Sequence, residues 1–242
     1  MVVGQFSQDV DIFVIGGGPA GYTAAFRAAE LGKTVAIVDP NKMLGGECLH
    51  NACIPSKSAL HHVDAEKAVA TLSKGLEQRC KSLDIERLHG LARFENKKTA
   101  QITGEVVSVV KFRKAIIASG SQKRSHDDFA DAIQVEDVYG ANVENKTILV
   151  VGNTPSAVES ATFLSKNNTV SVWADGEILP SFDRQLVNLC SGLYLFARRS
   201  KRVPLTTSLF LQRIAIPKQI RYNLKTRTLI VLMASSQQMT RA

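Results

Sequence analysis

Residues 11–39 read DIFVIGGGPAGYTAAFRAAELGKTVAIVD, and the order of signals within them decides the fold. DIFVI is a short apolar run that stops at GGGPAG. An alanine-rich helical pattern follows and closes on Gly32, and TVAIVD is a second apolar run. A glycine just past the last periodic residue suits a helix C-terminus. Strands that are apolar on both faces belong to a parallel sheet covered by helices, so the stretch is a βαβ unit. Gly16, Gly18 and Gly21 satisfy G-x-G-x-x-G between strand and helix. There the first glycine permits the tight turn, the second lets the backbone approach a pyrophosphate, and the third allows close helix–strand packing. The helix N-terminus presents unpaired N–H groups to the phosphates. Asp39 ends the second strand 18 residues after Gly21, where a carboxylate can accept from ribose hydroxyls. Glycine-rich turns are common without any ligand. The strand–turn–helix–strand–acid order is what makes this one a dinucleotide site.

Working outward, residues 44–57 read LGGECLHNACIPSK, with four residues between Cys48 and Cys53. One helical turn plus a bend brings sulfurs at that spacing into bonding range. Pro55 marks a helix N-terminus near Cys53, where a thiolate is favoured, and Lys57 adds a cation. Two other readings stand beside a redox pair. His50, His61 and His62 could complete a zinc site, although their spacing is poor for one and no metal is expected. The two cysteines could also be unrelated buried residues. Cys80 and Cys190 are isolated and read as ordinary small or buried side chains.

Together these blocks resemble the class I pyridine nucleotide-disulfide oxidoreductases. GGGPAGYTAAFRAAELGKTVAIVD and G-G-x-C-x-x-x-x-C-x-P-S-K stand in that family's order and spacing, and the resemblance covers residues 9–184. It implies an α/β fold: a Rossmann-like FAD-binding domain (three-layer, parallel sheet) with a partial second nucleotide-binding βαβ unit. It also implies that Cys53 contacts the flavin, that Cys48 exchanges with a disulfide substrate, and that Lys57 sits by the isoalloxazine ring. Gly46 belongs to the same block. GLARF places Ala92 where the family's backbone approaches the adenine, and Ser119 and Gly120 of ASGS match where the chain passes the cofactor. The implied reaction moves electrons between NAD(P)H, FAD and the cysteine pair. The implied partner is a small dithiol or disulfide, lipoamide-like, with glutathione or mercuric ion as alternatives. A truncated or remnant FAD-binding module without activity is the other reading.

A second opening lies at residues 147–173: TILVVG, a helical pattern through SAVESATFLSK, then TVSVW. Gly152 holds the first glycine position, but Thr154 and Ala157 occupy the second and third. Thr154 puts a side chain where backbone should approach pyrophosphate, so NAD or NADP is the weaker cofactor expectation. Glu159 matches a family acidic position, while Ala174, followed by Asp175, stands where a ribose acid is expected.

Between the openings, residues 54–80 read as helical, with Pro55 in a favourable first-turn position, and residues 89–117 as a small sheet returning to a core strand. The expected division is 1–145 for the flavin domain, 146–184 for the partial second unit, and 185–242 for an unassigned basic tail. All 22 acids lie at or before Asp183, and the 59 residues from Arg184 carry 11 Lys or Arg. The first 183 residues therefore carry a net −3, so the overall +8 does not argue for a nucleic-acid partner. The family pattern stops after ILPSFD, as a shift out of frame would produce. The last histidine is His126, so the family's terminal His–Glu pair and dimerisation domain, which make homodimers, are not expected here. No secretory leader and no membrane-length apolar run is seen, which points to the cytoplasm.

Overall fold

A computed structural model of the chain describes residues 6–104, 108–121, 132–141, 143–174, 177–191, 195–197 and 228–232. His126, Asp175 and the side chain of Cys190 lie outside them. The strand before the glycines is longer than its apolar run: β1 covers Phe6–Ile15. Its first half is not apolar but pairs with β6 (Ser108–Ile117) from Phe6↔Ser108 onward. Parallel pairing joins β1 to β2 (Val35–Asp39) and β2 to β3 (Glu86–His89). On the other side β5 (Thr99–Thr103) and β4 (Leu91–Asn96) run antiparallel, giving one sheet in the order β3-β2-β1-β6-β5-β4.

The antiparallel strands are therefore not a separate small sheet, because β6 belongs to both parts. They also supply a layer that the sequence assigns to helices. Phe13, Ala36 and Val38 on one face of the parallel strands pack against Ala100, Ile102, Val110 and Phe112. Val14, Val35 and Ile37 on the other face pack against Ala25 of α1 (Pro19–Glu30) and Cys80 of α4 (Ala65–Ser82). Both faces are dry, which accounts for the apolar reading of these strands.

The helical stretch 54–80 holds two helices. The first, α3 (Cys53–Leu60), ends before His62, which has a positive φ of 57°. Asp64 then caps α4, accepting from the Lys67 N–H at 3.0 Å. Ahead of them lies a five-residue helix, α2 (Gly46–His50).

The described residues divide after Gly120, with Ala59–His61 grouped with the second unit. That is earlier than the 145/146 boundary, because β7 (Ile133–Gln134) pairs with β11 (Thr228–Leu232) in the second sheet. This sheet is all parallel, in the order β10-β9-β8-β11-β7, where β8 is Thr147–Val151, β9 is Thr169–Trp173 and β10 is Leu195–Ala197. Ile148, Val150 and Val172 pack against Ala157, Ala161 and Leu164 of α5 (Pro155–Leu164). Two strands, β10 and β11, and the helix α6 (Arg184–Ser191) lie in the stretch the sequence leaves unassigned. LFA and TLIVL are apolar runs too short for periodicity to reveal.

Candidate functional site

Gly16 takes a φ of +107° and donates its N–H to the Val38 carbonyl at 2.8 Å. A Cβ on Gly16 would lie 2.2 Å from the Ala118 oxygen, and one on Gly21 would lie 1.8 Å from the Gly16 oxygen. Both glycines are demanded by the protein's own packing, which also brings Ala118–Ser119 onto the turn. Gly18 differs. Its nearest neighbour would be the Gly46 Cα at 3.9 Å, so this side of the turn is open. Gly18 is also the N-cap of α1, with no side-chain cap and with proline next. First-turn N–H groups at an uncapped terminus beside an open glycine face suit a pyrophosphate.

Asp39 accepts from the Gly17 N–H at 2.6 Å through one oxygen and from the Asn41 N–H at 2.7 Å through the other. The carboxylate thus braces the turn. A carboxylate has about four lone-pair sites in all, so acceptor capacity remains for a ribose.

The cysteine segment begins against this turn. Gly45 donates its N–H to the Gly17 carbonyl at 2.8 Å, and Gly45 and Gly46 take φ of +125° and +56°. A Cβ on Gly46 would meet the Gly18 Cα at 2.7 Å. From there α2 carries Cys48, half-buried, and α3 opens with Cys53, which is exposed; both are free thiols. The Cys48 thiol is pushed up to about 11, first by burial and then by the neighbouring Cys53, while the Lys57 ammonium pulls it down. The Tyr22 phenol on α1 is also raised, by burial first and then by the charges of Cys48 and Cys53. The Ser56 hydroxyl donates to the Cys53 carbonyl at 3.1 Å, and Lys57 Nζ reaches Ser56 Oγ at 3.5 Å.

The remaining candidates scatter. Gly120 takes a φ of +74° at the end of the first unit with open space around it. Ala92 lies on β4 opposite Ile102, against the Phe13 cluster. In the second unit Gly152 has a φ of +149° and donates to the Trp173 carbonyl at 2.8 Å, the same device as Gly16 and Val38. Thr154 is the N-cap of α5, its Oγ1 accepting from the Ala157 N–H at 3.4 Å. The side chain in the second glycine position thus has a structural task. Glu159 is half-buried on α5, and Ala174 is buried at the end of β9. Among the described residues no three His, Cys, Asp or Glu side chains converge on a metal site, and no helix is long and apolar enough to cross a membrane.

Sequence reasoning passed over Gly17, Gly45 and Tyr22. The glycine doublets GG at 16–17 and 45–46 were the available signal for the first two, since adjacent glycines mark close backbone approach. Nothing in the sequence couples Tyr22 to the cysteines.

An uncapped helix on a glycine turn, closed by a carboxylate and abutted by a dithiol helix, defines a nucleotide-fold protein with a thiol pair built onto its glycine turn. The profile of one family, pyridine nucleotide-disulphide oxidoreductase, matches residues 10–193, and the chain belongs to that family. A dihydrolipoyl dehydrogenase of Geobacillus stearothermophilus is 32% identical over 220 residues, covering 77% of this chain and 47% of that protein. One from Bacillus subtilis is 31% identical, covering 78% of this chain and 47% of that protein. The chain thus spans about half the length of the curated relatives it matches. The solved HOCl-induced flavoprotein disulfide reductase RclA from Escherichia coli shares the fold, with a TM-score of 0.71 at 19% identity, covering 96% of this chain and 57% of that one.

Proposed function

We propose that this chain is the flavin- and dithiol-bearing part of a dihydrolipoamide dehydrogenase-like disulfide oxidoreductase. The observation that carries the reading is the contact of Gly46 with Gly18, which seats the cysteine helix on the phosphate turn. Gly16, Gly18, Gly21 and Asp39 would hold the dinucleotide end of FAD. Gly46, Lys57, Ala92, Ser119 and Gly120 would line its course. Bound there, FAD supplies two-electron redox chemistry. The protein's own share is to hold Cys48 and Cys53 on successive helices beside the turn and to keep the Cys48 proton on sulfur until a disulfide arrives. Attack on that disulfide needs the thiolate, so a base that takes this proton sets the rate. A lipoamide-like dithiol is the substrate favoured by the named relatives, in a homodimer of the complete protein and in the cytoplasm, where thiols stay reduced.

NAD or NADP would bind at Gly152 and Glu159, more weakly than FAD at the first unit. The Thr154 cap supports a second reading for the chain by itself, a flavin-binding module with little turnover. Titration of the purified chain with FAD, followed by anaerobic reduction with NADH and with dihydrolipoamide, tests both. FAD reduced by dihydrolipoamide in wild type and not in Cys48→Ser supports the oxidoreductase reading. FAD bound but inert to both reductants supports the module. No FAD binding overturns both.

A further inference from the structure

We infer that His50 and Asn51, which stand between the two cysteines, are positioning residues that hold the Cys48–Cys53 loop closed and so set its dithiol–disulfide equilibrium. The inference rests on the proposed redox role of the pair. His50 donates from Nε2 to the Leu44 carbonyl at 3.0 Å, six residues back. That carbonyl is a firm anchor, because Leu44 is 2% exposed in the core beneath α1. Asn51 donates from its amide to Glu47 Oε2 at 2.9 Å, and its backbone N–H and that of Ala52 both donate to the Glu47 carbonyl, at 2.9 and 2.8 Å. Both side-chain ties start just before Cys48 and end between it and Cys53. Neither passes through a sulfur, so both survive whether the thiols are free or joined.

The consequence is entropic. Joining the ends of a free loop costs conformational freedom, and a loop already tied loses little more when the bond forms. Closure then needs only the approach of the two sulfurs and the loss of their protons. With oxidised glutathione the step balances. The Cys48 and Cys53 thiols give up two electrons and two protons, the S–S bond forms between them, and the glutathione disulfide leaves as two thiols.

The test equilibrates the full-length chain with oxidised and reduced glutathione and measures the Cys48–Cys53 disulfide fraction by mass mapping. Losing one tie is expected to lower the equilibrium constant for disulfide formation by about fivefold, and losing both by more. His50→Ala and Asn51→Ala should each show the drop, while His50→Gln, which keeps a donor, should recover most of it. Glu47→Ala should cost less in the Asn51→Ala background than in wild type. Because the cycle at Glu47 and Asn51 stands alone, the inference remains testable if His50→Ala does not fold. Folded variants within twofold of wild type, or forming the disulfide more readily, would overturn the inference alone. A wild-type chain that forms no Cys48–Cys53 disulfide would overturn the redox reading itself.

Discussion

Asp39 Oδ2 accepts from the Gly17 N–H at 2.6 Å, so the carboxylate at the end of one strand fixes the turn that follows another. Asp39→Asn replaces a charged acceptor with a neutral one that carries unwanted donors, while retaining shape. FAD affinity should fall about 10- to 100-fold with a smaller loss of stability, since hydrogen bonds to charged groups contribute roughly 1.5–3 kcal/mol. Flavin fluorescence titration beside thermal melting separates the two effects.

Gly18 and Gly21 should fail in different ways. The Cβ of Gly18→Val would meet nothing closer than the Gly46 Cα at 3.9 Å, so the fold should persist while FAD binding is lost to the filled phosphate space. Gly21→Ala would drive a Cβ to 1.8 Å from the Gly16 oxygen, so the chain itself should be destabilised by 1–3 kcal/mol, roughly the range for overpacking. Denaturant unfolding of the two FAD-free variants is the check, and equal destabilisation would contradict the assignment.

Cys48 should alkylate slowly in the folded chain. Its thiol is moved from an ordinary value near 9.0 to about 11, so at pH 8 its thiolate is about 100-fold scarcer than in the unfolded chain. Iodoacetamide rates in buffer and in urea, read by mass mapping, test this, with the folded rate climbing until pH approaches 11. The folded-state value lies above the unfolded one. The associated stability is therefore fully present below pH 9 and is lost as pH rises through about 11. Cys48→Ser should flatten that loss.

Thr154→Gly should strengthen NADH binding to the second unit. It removes the side chain at the pyrophosphate approach and costs α5 only a few tenths of a kcal/mol, roughly, since glycine is itself a tolerated N-cap. Calorimetric titration with NADH is the measurement. Unchanged affinity would place the weakness elsewhere, at Ala174 for example.

The elements legible in the chain are those whose signals are local: the strand–turn–helix of residues 11–32, the helical cysteine block and the second opening at residues 147–173. Glycine positions, capping residues and apolar periods act over a few residues, so they are written in the order of the chain. Long-range packing supplied the rest. It put a β-meander, not helices, on one face of the first sheet, because the long strands β1 and β6 carry β5 and β4 with them. It divided the helical stretch at His62, whose φ is positive, and Asp64 caps the helix that follows. It extended the second sheet with LFA and TLIVL, whose period is too short to read. Asp39 on Gly17, Gly46 on Gly18 and Tyr22 beside the thiols join residues about 22 to 31 positions apart. Such contacts are set by how separate elements pack, and no single stretch of sequence records them.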